Sequence, residues 1–276
     1  MEGDHQYRCG GRALIPRAHI VEWRSLVPWI SDAQVEQDLL ICRALATLFS
    51  HKVIVQNLAF RGGTALHKLF LRPPSRYSED LDFVQINAGP IGPVMDAVHE
   101  VLDSFLGTPR RTQAQDSVTL TYRADSETPP VVPMKLKVEI NTREHFAVLG
   151  YHGHPFSVNS RWFSGTCMIN TYKLDELLGT KLRALYQRRK GRDLFDLWLG
   201  FTLGKANPIA IVHTFQKYMS AEGLNVTQRE FRENLADKMK KRAFLADTDN
   251  LLRPAIKYEA QEAYRIVDKH LLQLLR

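Results

Sequence analysis

Residues 61–83 read RGGTALHKLFLRPPSRYSEDLDF, and they are the most informative part of the chain. A glycine pair followed by a threonine precedes two aspartates, Asp80 and Asp82, which are separated by one apolar residue. Glycines let a loop bring backbone N–H groups close to phosphate oxygens, and paired carboxylates bind divalent metal ions. The combination predicts a site for a nucleoside triphosphate (NTP) and its metal ion.

Residues 80–84 alternate polar and apolar side chains, which is the period of a half-buried strand. Both carboxylates would then project from the same face, where a cation relieves their mutual repulsion. Mg²⁺ suits this pair because it binds few carboxylates and keeps water and phosphate oxygens as its other ligands; Mn²⁺ is a second choice. The alternative is that Asp80 and Asp82 only cap a helix or shape a turn.

A second alternating segment, residues 134–141 (MKLKVEIN), predicts another strand, and its polar face carries Lys137 and Glu139. If this strand lies beside the first, Glu139 becomes a third carboxylate and Lys137 a cation suited to phosphate. The alternative is the solvated face of an edge strand.

Leucines recur at helical spacing in residues 171–190 and define one buried face, on which Lys181 also falls. A lysine on an apolar face is costly unless an anion meets it, although its amine could instead extend outward at the helix edge. The nearby Arg183 and Arg188 are interpreted as ordinary solvated charges.

A second apolar helix is predicted over residues 192–204, with Asp193 and Asp196 on one face because they are three residues apart. An aspartate in so apolar a helix needs a partner, although Asp193 in the first turn could simply favour the helix dipole. The sequence leaves open which of the two is functional.

These segments resemble the signature of the AbiEii/AbiGii-type nucleotidyltransferases, toxins of bacterial toxin–antitoxin and abortive-infection systems. The family's GGS/GGT loop and R-x-S-x-D-L-D segment are matched by Gly62, Gly63, Thr64, Arg76, Ser78, Asp80 and Asp82. Its E-x-L-x-x-K-L-x-A-L helix and its R-D-x-x-D-L segment are matched at residues 176–185 and 192–197.

The resemblance implies a polymerase-β-type nucleotidyltransferase fold, in which a neighbouring strand supplies a third acidic residue, here Glu139. It implies that Lys181 contacts the triphosphate and that acidic residues of the segment Arg192, Asp193 and Asp196 are tied to activity. It also implies a cognate antitoxin. The acceptor that it suggests is the 3′ end of tRNA, where addition of a nucleoside monophosphate (NMP) would stop translation.

The predicted site comprises three overlapping sets of residues. The metal ligands are Asp80, Asp82 and Glu139. The catalytic residues are Asp80, Asp82, Glu139, Lys181 and Asp193. The NTP-binding residues are Gly62, Gly63, Thr64, Arg76, Ser78, Lys137, Lys181 and Asp196.

The predicted fold is α+β, with a small mixed sheet and helices over residues 1–155. A helical C-terminal domain, residues 156–276, would pack over the active-site cleft. Strands are predicted at 53–60, 80–86, 117–123 and 134–141. Helices are predicted at 33–49, where Ser31 or Asp32 is the cap, and at 64–71, 91–105, 171–190, 192–204 and 255–275.

The composition suits a nucleic-acid-binding enzyme of the cytoplasm. The net charge of +7 predicts a basic surface for a polyanion, with residues 183–192 and 238–242 as candidate RNA contacts. No apolar run is long enough for a membrane span, and the N-terminus lacks a signal-peptide core. The three cysteines, Cys9, Cys42 and Cys167, are scattered, which suits a reducing compartment.

The resulting hypothesis is a Mg²⁺-dependent toxin that transfers NMP from an NTP to an RNA acceptor. One alternative keeps the reaction but makes the acceptor a hydroxyl group of a protein or a small molecule. The other alternative is a non-catalytic module that binds NTP or RNA.

Overall fold

A computed structural model describes residues 15–276 of the chain, and within them seven strands form one mixed sheet. The strands are β1 (Leu58–Arg61), β2 (Asp80–Gln85), β3 (Arg110–Gln113), β4 (Ser117–Asp125), β5 (Pro133–Asn141), β6 (Tyr151–Asn159) and β7 (Ser164–Tyr172). Their order across the sheet is β3-β4-β5-β2-β1-β7-β6. The predicted α+β class is confirmed.

The helices surround this sheet and continue beyond it. They are α1 (Arg17–Arg24), α2 (Asp32–Leu48), α3 (Lys52–Asn57), α4 (Gly62–Ala65), α5 (Gly92–Leu106), α6 (Leu174–Gln187), α7 (Gly191–Thr202), α8 (Pro208–Ala221), α9 (Gln228–Met239), α10 (Arg242–Leu245) and α11 (Ala260–His270). A π-helical turn, Leu66–Phe70, follows α4, and short 3₁₀ turns lie at Ala246–Thr248 and Leu272–Leu274. None of the helices in residues 15–276 has the length and apolar character that crossing a membrane requires.

Strand β2 lies in the middle of the sheet, which places its aspartates between two neighbouring strands. It pairs with β1 in antiparallel and with β5 in parallel orientation. The alternation of β5 predicts its burial correctly, because every second side chain from Met134 to Ile140 lies in the core. The polar side chains of β2 and β5 therefore share the opposite face.

Four predicted elements agree closely with the structure. Helix α2 begins after Ser31, whose hydroxyl accepts a hydrogen bond from the Gln34 N–H in a capping box. The strands predicted near residues 80, 117 and 134 are β2, β4 and β5. In each case a local signal, the cap or the alternation, is strong enough to fix the element.

Several segments differ from the prediction. The strand predicted at 53–60 is helix α3 followed by the short strand β1, because the periodicity of a short apolar run does not distinguish a strand from a helix turn. Strands β6 and β7, together with β3, were not predicted. Pro155 weakens the strand signal of β6, but it is tolerated there because β6 is an edge strand.

The helical half is continuous with the sheet. Helix α6 follows β7 directly and packs against α7 and α8, and one buried apolar core extends from Ile15 to Leu275. The boundary predicted at residue 155 falls inside β6. The purely helical part of the chain begins after Tyr172, where β7 ends. The division into two domains stays a prediction.

Two sequence observations fall on residues 1–14, which lie outside the described part of the chain: the N-terminal segment without a signal-peptide core, and Cys9. The other two cysteines, Cys42 and Cys167, are free thiols.

A buried glutamate in α2 gives a pH-dependent prediction of stability. Glu36 is fully buried, and its Oε1 has no hydrogen-bond partner among residues 15–276. Burial raises the pKa of Glu36 to about 7, although the N–H of Glu127 partly opposes the shift. The pKa of Glu36 is higher in the folded than in the unfolded protein. Its contribution to the free energy of unfolding is therefore fully present below pH ~4.5 and is lost as the pH rises through about 7.

We therefore expect Glu36→Gln to raise the free energy of unfolding at pH 8 by at most about 3 kcal/mol and to leave it nearly unchanged at pH 4.5. Urea denaturation at both pH values measures this difference. Glu262→Gln on the exposed face of α11 is the control and should follow the wild type. A Glu36→Gln variant that is equally stabilised at both pH values would contradict the assigned pKa.

Candidate active site

The glycine pair forms a tight turn from β1 into α4, packed against the DxD strand. Gly62 has a φ of +79°, which favours glycine, and a Cβ at this position would overlap the carboxylate of Asp82. A Cβ on Gly63 would overlap the guanidinium of Arg76. A larger residue at either position would displace a charged side chain of the site, beside which the backbone of the turn directly lies.

Thr64 supports this turn from behind. Its hydroxyl is buried, donates to the carbonyl oxygen of Asp80 at 2.5 Å and lies 2.9 Å from Ser78 Oγ. Ser78 reaches the wall of the cleft described below, whereas Thr64 does not. Thr64 thus ties α4 to the start of β2, and the structure gives it no direct exposure to a ligand.

Four charged side chains form a compact patch on β2 and β5. The register places Asp80 opposite Lys137 and Asp82 opposite Glu139. Lys137 Nζ donates to Glu139 Oε2 at 2.5 Å, and all four side chains line the same cleft. The structure thus places the three carboxylates on adjacent strands and on the same face of the sheet, as predicted.

The surroundings of the two aspartates disfavour their ionised forms. Burial, together with the charges of Asp80 and Glu139, raises the pKa of Asp82 to about 6. Burial also raises the pKa of Asp80, although Lys137 opposes the shift. A divalent cation would reverse both shifts, so the chemistry of this pair fits Mg²⁺ or Mn²⁺.

The third predicted ligand is less available than the pair. Within residues 15–276, no three carboxylate, histidine or cysteine side chains are gathered closely enough to hold a metal ion. Glu139 is instead engaged by the ammonium group of Lys137. Asp80 and Asp82 are thus the two residues that could hold the metal without rearrangement of a salt bridge.

Lys181 is buried on α6, and the anions that meet it are aspartates of α7. Its Nζ lies 3.1 Å from Asp193 Oδ1 and 3.0 Å from Asp196 Oδ2. Both aspartates are fully buried and neither lines the cleft, whereas Lys181 does. The anions that offset the cost of burying this lysine are thus carboxylates of the protein, which hold the amine at the cleft wall, and its contact with a triphosphate stays a prediction.

Asp196 is the centre of a larger buried network. Arg76 donates to it through Nε and Nη2, both at 2.7 Å, and His67 Nε2 lies 3.0 Å away. Burial alone would raise the pKa of Asp196, but Arg76 and Lys181 hold it well below its usual range. Burial lowers the pKa of His67 to about 4, so the imidazole is neutral. Asp196 on α7 therefore connects Arg76, in the segment that precedes β2, with Lys181 on α6.

Asp193 has a different set of partners. Arg188 donates to both of its carboxylate oxygens, at 2.7 and 2.8 Å, and the Arg188 side chain is about half exposed at the cleft. Burial would raise the pKa of Asp193, but Lys181 and Arg188 lower it. Asp193 thus positions two cations of the cleft.

The interpretation of Arg183 as an ordinary solvated charge is wrong, and that of Arg188 is incomplete because its exposed side chain is also paired with an aspartate. Arg183 is buried, and its Nη1 donates to Glu144 at 2.6 Å and to Glu222 at 3.0 Å. Arg188 is held by Asp193, as described above. Sequence periodicity assigned both to a solvated face because the acidic partners come from other segments.

These elements enclose a cleft of about 560 Å³ between the sheet and α6. Eight cationic side chains and three carboxylates line it, together with Gly62, Gly63 and Ser78. The cationic residues are Arg61, Arg76, Lys137, Lys181, Arg183, Arg188, Lys190 and Arg192. So polar a cleft with excess positive charge suits a polyanion such as a triphosphate.

Several residues of the cleft were not predicted as site residues. Arg61 lies opposite Asp82 and donates to Glu144 at 2.6 Å, and Asn141 and Gln187 also line the wall. The one sequence feature that could have identified Arg61 as a site residue is its position directly before the glycine pair. Asn141 and Gln187 lie at the ends of β5 and α6, where periodicity gives no information about function.

Comparison with known proteins identifies the fold and the family. The sequence profile of "Nucleotidyl transferase AbiEii toxin, Type IV TA system" matches residues 43–265. No curated protein sequence matches the chain significantly.

Two solved structures are similar to this chain. MenT4, a nucleotidyltransferase toxin from Mycobacterium tuberculosis H37Rv, has a TM-score of 0.61 and 18% identity, over 95% of this chain and 91% of that one. JHP933 from Helicobacter pylori has a TM-score of 0.53 and 17% identity, over 89% and 92%. At such identities the similarity shows the fold alone, and it confirms the predicted nucleotidyltransferase fold.

Proposed function

The chain belongs to the AbiEii family of nucleotidyltransferase toxins of type IV toxin–antitoxin systems, and on this basis we propose that it transfers NMP from an NTP to the 3′ end of tRNA. The family implies an NTP substrate and an antitoxin partner. The transfer would block translation, and it would take place in the cytoplasm, where tRNA is found. The observation that carries the proposal is a carboxylate pair facing a cationic wall across one cleft.

Asp80 and Asp82 would hold the divalent metal, for which Mg²⁺ is the first choice and Mn²⁺ the second. When bound, the ion supplies charge neutralisation at the phosphates and a lowered pKa of the attacking hydroxyl. The raised pKa values of both aspartates support this assignment, because burial and the neighbouring carboxylates disfavour the ionised forms and a bound cation would offset both effects. Glu139, the third carboxylate at the cleft, is engaged by the Lys137 ammonium group.

The remaining residues would bind and orient the triphosphate. The backbone of Gly62 and Gly63 lies at the cleft and can approach phosphate oxygens closely because neither residue has a Cβ. Lys181, fixed by its two aspartates, would neutralise the charge that develops on the leaving pyrophosphate. Arg76, Ser78 and Lys137 complete this phosphate-binding set.

Thr64, Asp193 and Asp196 would support the phosphate-binding set without touching the substrate. Thr64 fixes the turn, and the two aspartates orient the cations of α6 and the adjoining loop. Loss of such support misplaces groups that must be held to within a fraction of an ångström.

To identify the acceptor, the protein is incubated with total tRNA, Mg²⁺ and each of the four α-³²P-labelled NTPs in turn, and the label on RNA is measured. Half of the tRNA is first treated with periodate, which destroys the 3′-terminal diol. We expect label on intact tRNA and none on the oxidised sample. Label on protein or on small molecules, with none on RNA, would instead support the alternative acceptors.

A cationic rim is available to the acceptor. Lys190 lies between α6 and α7 on the cleft wall, its side chain is about half exposed, and its nearest carboxylate, Asp247, is 3.7 Å away. Arg188 and Arg192, by contrast, are paired closely with aspartates. Lys190 is therefore the rim cation most available to a phosphate of the RNA backbone.

We expect Lys190→Glu to weaken tRNA binding about tenfold and to reduce the salt dependence of binding by about one phosphate contact. Filter binding at several salt concentrations measures both quantities. Arg229→Glu makes the same change in net charge outside the cleft and should bind tRNA as the wild type does. Equal weakening by both variants would mean that only the net charge matters.

A further inference from the structure

The patch on β2 and β5 contains a cation among its carboxylates. Lys137 lies directly opposite Asp80, and Glu139 directly opposite Asp82, on paired strands about 4.8 Å apart. Lys137 and Glu139 are two residues apart on β5 and therefore share one face. Lys137 Nζ donates to Glu139 Oε2 at 2.5 Å. The ammonium group is thus within the cluster of carboxylates and is held there by Glu139.

This arrangement changes the charge that a metal ion would meet. Without Lys137, the three carboxylates carry three negative charges, which would suit more than one divalent ion. With Lys137, the net charge is −2, which one divalent ion balances. A second divalent ion at Glu139 would have to displace the ammonium group or lie beside it, and like charges at such short range repel strongly.

The ammonium group also has capacity left for a substrate. A lysine amine has three N–H donors, and the contact with Glu139 uses one of them. The Lys137 and Glu139 side chains are 40% and 38% exposed and both line the cleft. Phosphate oxygens of a bound nucleotide can therefore reach the remaining donors.

We propose that Glu139 positions Lys137 instead of binding metal, and that the Lys137 ammonium takes the place of a second divalent ion beside the triphosphate. The site then works with one divalent ion, held by Asp80 and Asp82. This inference rests on the proposed function, since it concerns the same site. It departs from the prediction of Glu139 as a metal ligand, for the physical reason that the structure gives this carboxylate a cation of the protein as its partner.

The first test counts metal ions in the absence of any reaction. Mn²⁺ alone is titrated into the wild type, Glu139→Gln and Asp82→Asn, by calorimetry and by the electron paramagnetic resonance signal of the unbound ion. We expect one Mn²⁺ per chain in the wild type, one in Glu139→Gln with affinity within about threefold, and none in Asp82→Asn. Two ions in the wild type, one of which Glu139→Gln loses, would overturn the inference.

The second test measures the positioning role with tripolyphosphate, a triphosphate without a base, in the presence of Mn²⁺. Lys137→Met should weaken its binding about tenfold, and Glu139→Gln by a similar factor, because a charged hydrogen-bond donor is lost or misplaced. The double variant should bind no more weakly than Lys137→Met alone. Independent, multiplicative effects would overturn the inference, because they would mean that Glu139 does not act through Lys137.

Two controls separate structural damage from the effect on binding. Lys135→Met removes an exposed lysine from the same face of β5, outside the cleft, and should bind tripolyphosphate as the wild type does. Thermal melting of each variant confirms that it is folded. A wild type that binds one Mn²⁺ and tripolyphosphate as expected but transfers no nucleotide would refute the proposed function and leave the one-metal arrangement standing.

Discussion

Asp82→Asn should reduce the rate of nucleotide transfer by about 10³-fold or more without lowering the stability of the metal-free protein. The substitution keeps the shape of a side chain against which Gly62 packs closely. It removes a partly buried carboxylate whose pKa is raised to about 6 by burial and by its acidic neighbours. Several kcal/mol of transition-state stabilisation should be lost with the metal, whereas the metal-free protein loses a source of repulsion.

The measurement pairs transfer rates with melting temperatures, each with and without Mg²⁺. The wild type should melt at a higher temperature when Mg²⁺ is added, and Asp82→Asn should not respond. Asp96→Asn, an exposed aspartate of α5 outside the cleft, should behave as the wild type in both assays. A metal-free Asp82→Asn protein that melts well below the wild type would show that Asp82 stabilises the fold instead of serving the metal.

Asp196→Ala should destabilise the protein by about 3–5 kcal/mol, because it leaves the buried charges of Arg76 and Lys181 without their shared carboxylate. Asp193→Ala should cost less, about 1–2 kcal/mol. Lys181 keeps its contact with Asp196 in that variant, and the half-exposed Arg188 can turn to water. The two aspartates of α7 therefore separate into a structural and a positioning residue.

Chemical denaturation of both variants measures this order. Asp196→Asn, which retains one hydrogen-bond acceptor, provides a milder comparison if Asp196→Ala does not fold. The transfer rate of Asp193→Ala should fall even under conditions in which the variant is fully folded, because Lys181 and Arg188 lose their common anchor. Equal destabilisation by Asp193→Ala and Asp196→Ala would contradict the division of roles.

Local patterns predicted the parts of the site that lie within one element. The alternation of residues 80–84 and 134–141 placed Asp80, Asp82 and Glu139 on one face, and the registers of β2 and β5 agree. The leucine stripe of α6 identified Lys181 as an unusual residue. These predictions succeeded because strand and helix periods determine directions of side chains without reference to distant segments.

The partners of these residues could not be predicted, because they come from distant parts of the chain. Arg76 pairs with Asp196 across 120 residues, and Arg183 pairs with Glu144 across 39. No local period encodes such pairs. Strand β6 was missed for a related reason: its glycine and proline give a weak local signal, and pairing with β7 stabilises it.

The most direct test of NMP transfer compares NTPs labelled at the α- and at the γ-phosphate, with tRNA and Mg²⁺. The wild type should place the α-label on RNA and release the γ-label in pyrophosphate, and Asp80→Ala should do neither. Transfer of the γ-label to RNA, or α-labelling that persists in Asp80→Ala, would contradict the assignment of this cleft as the site of NMP transfer.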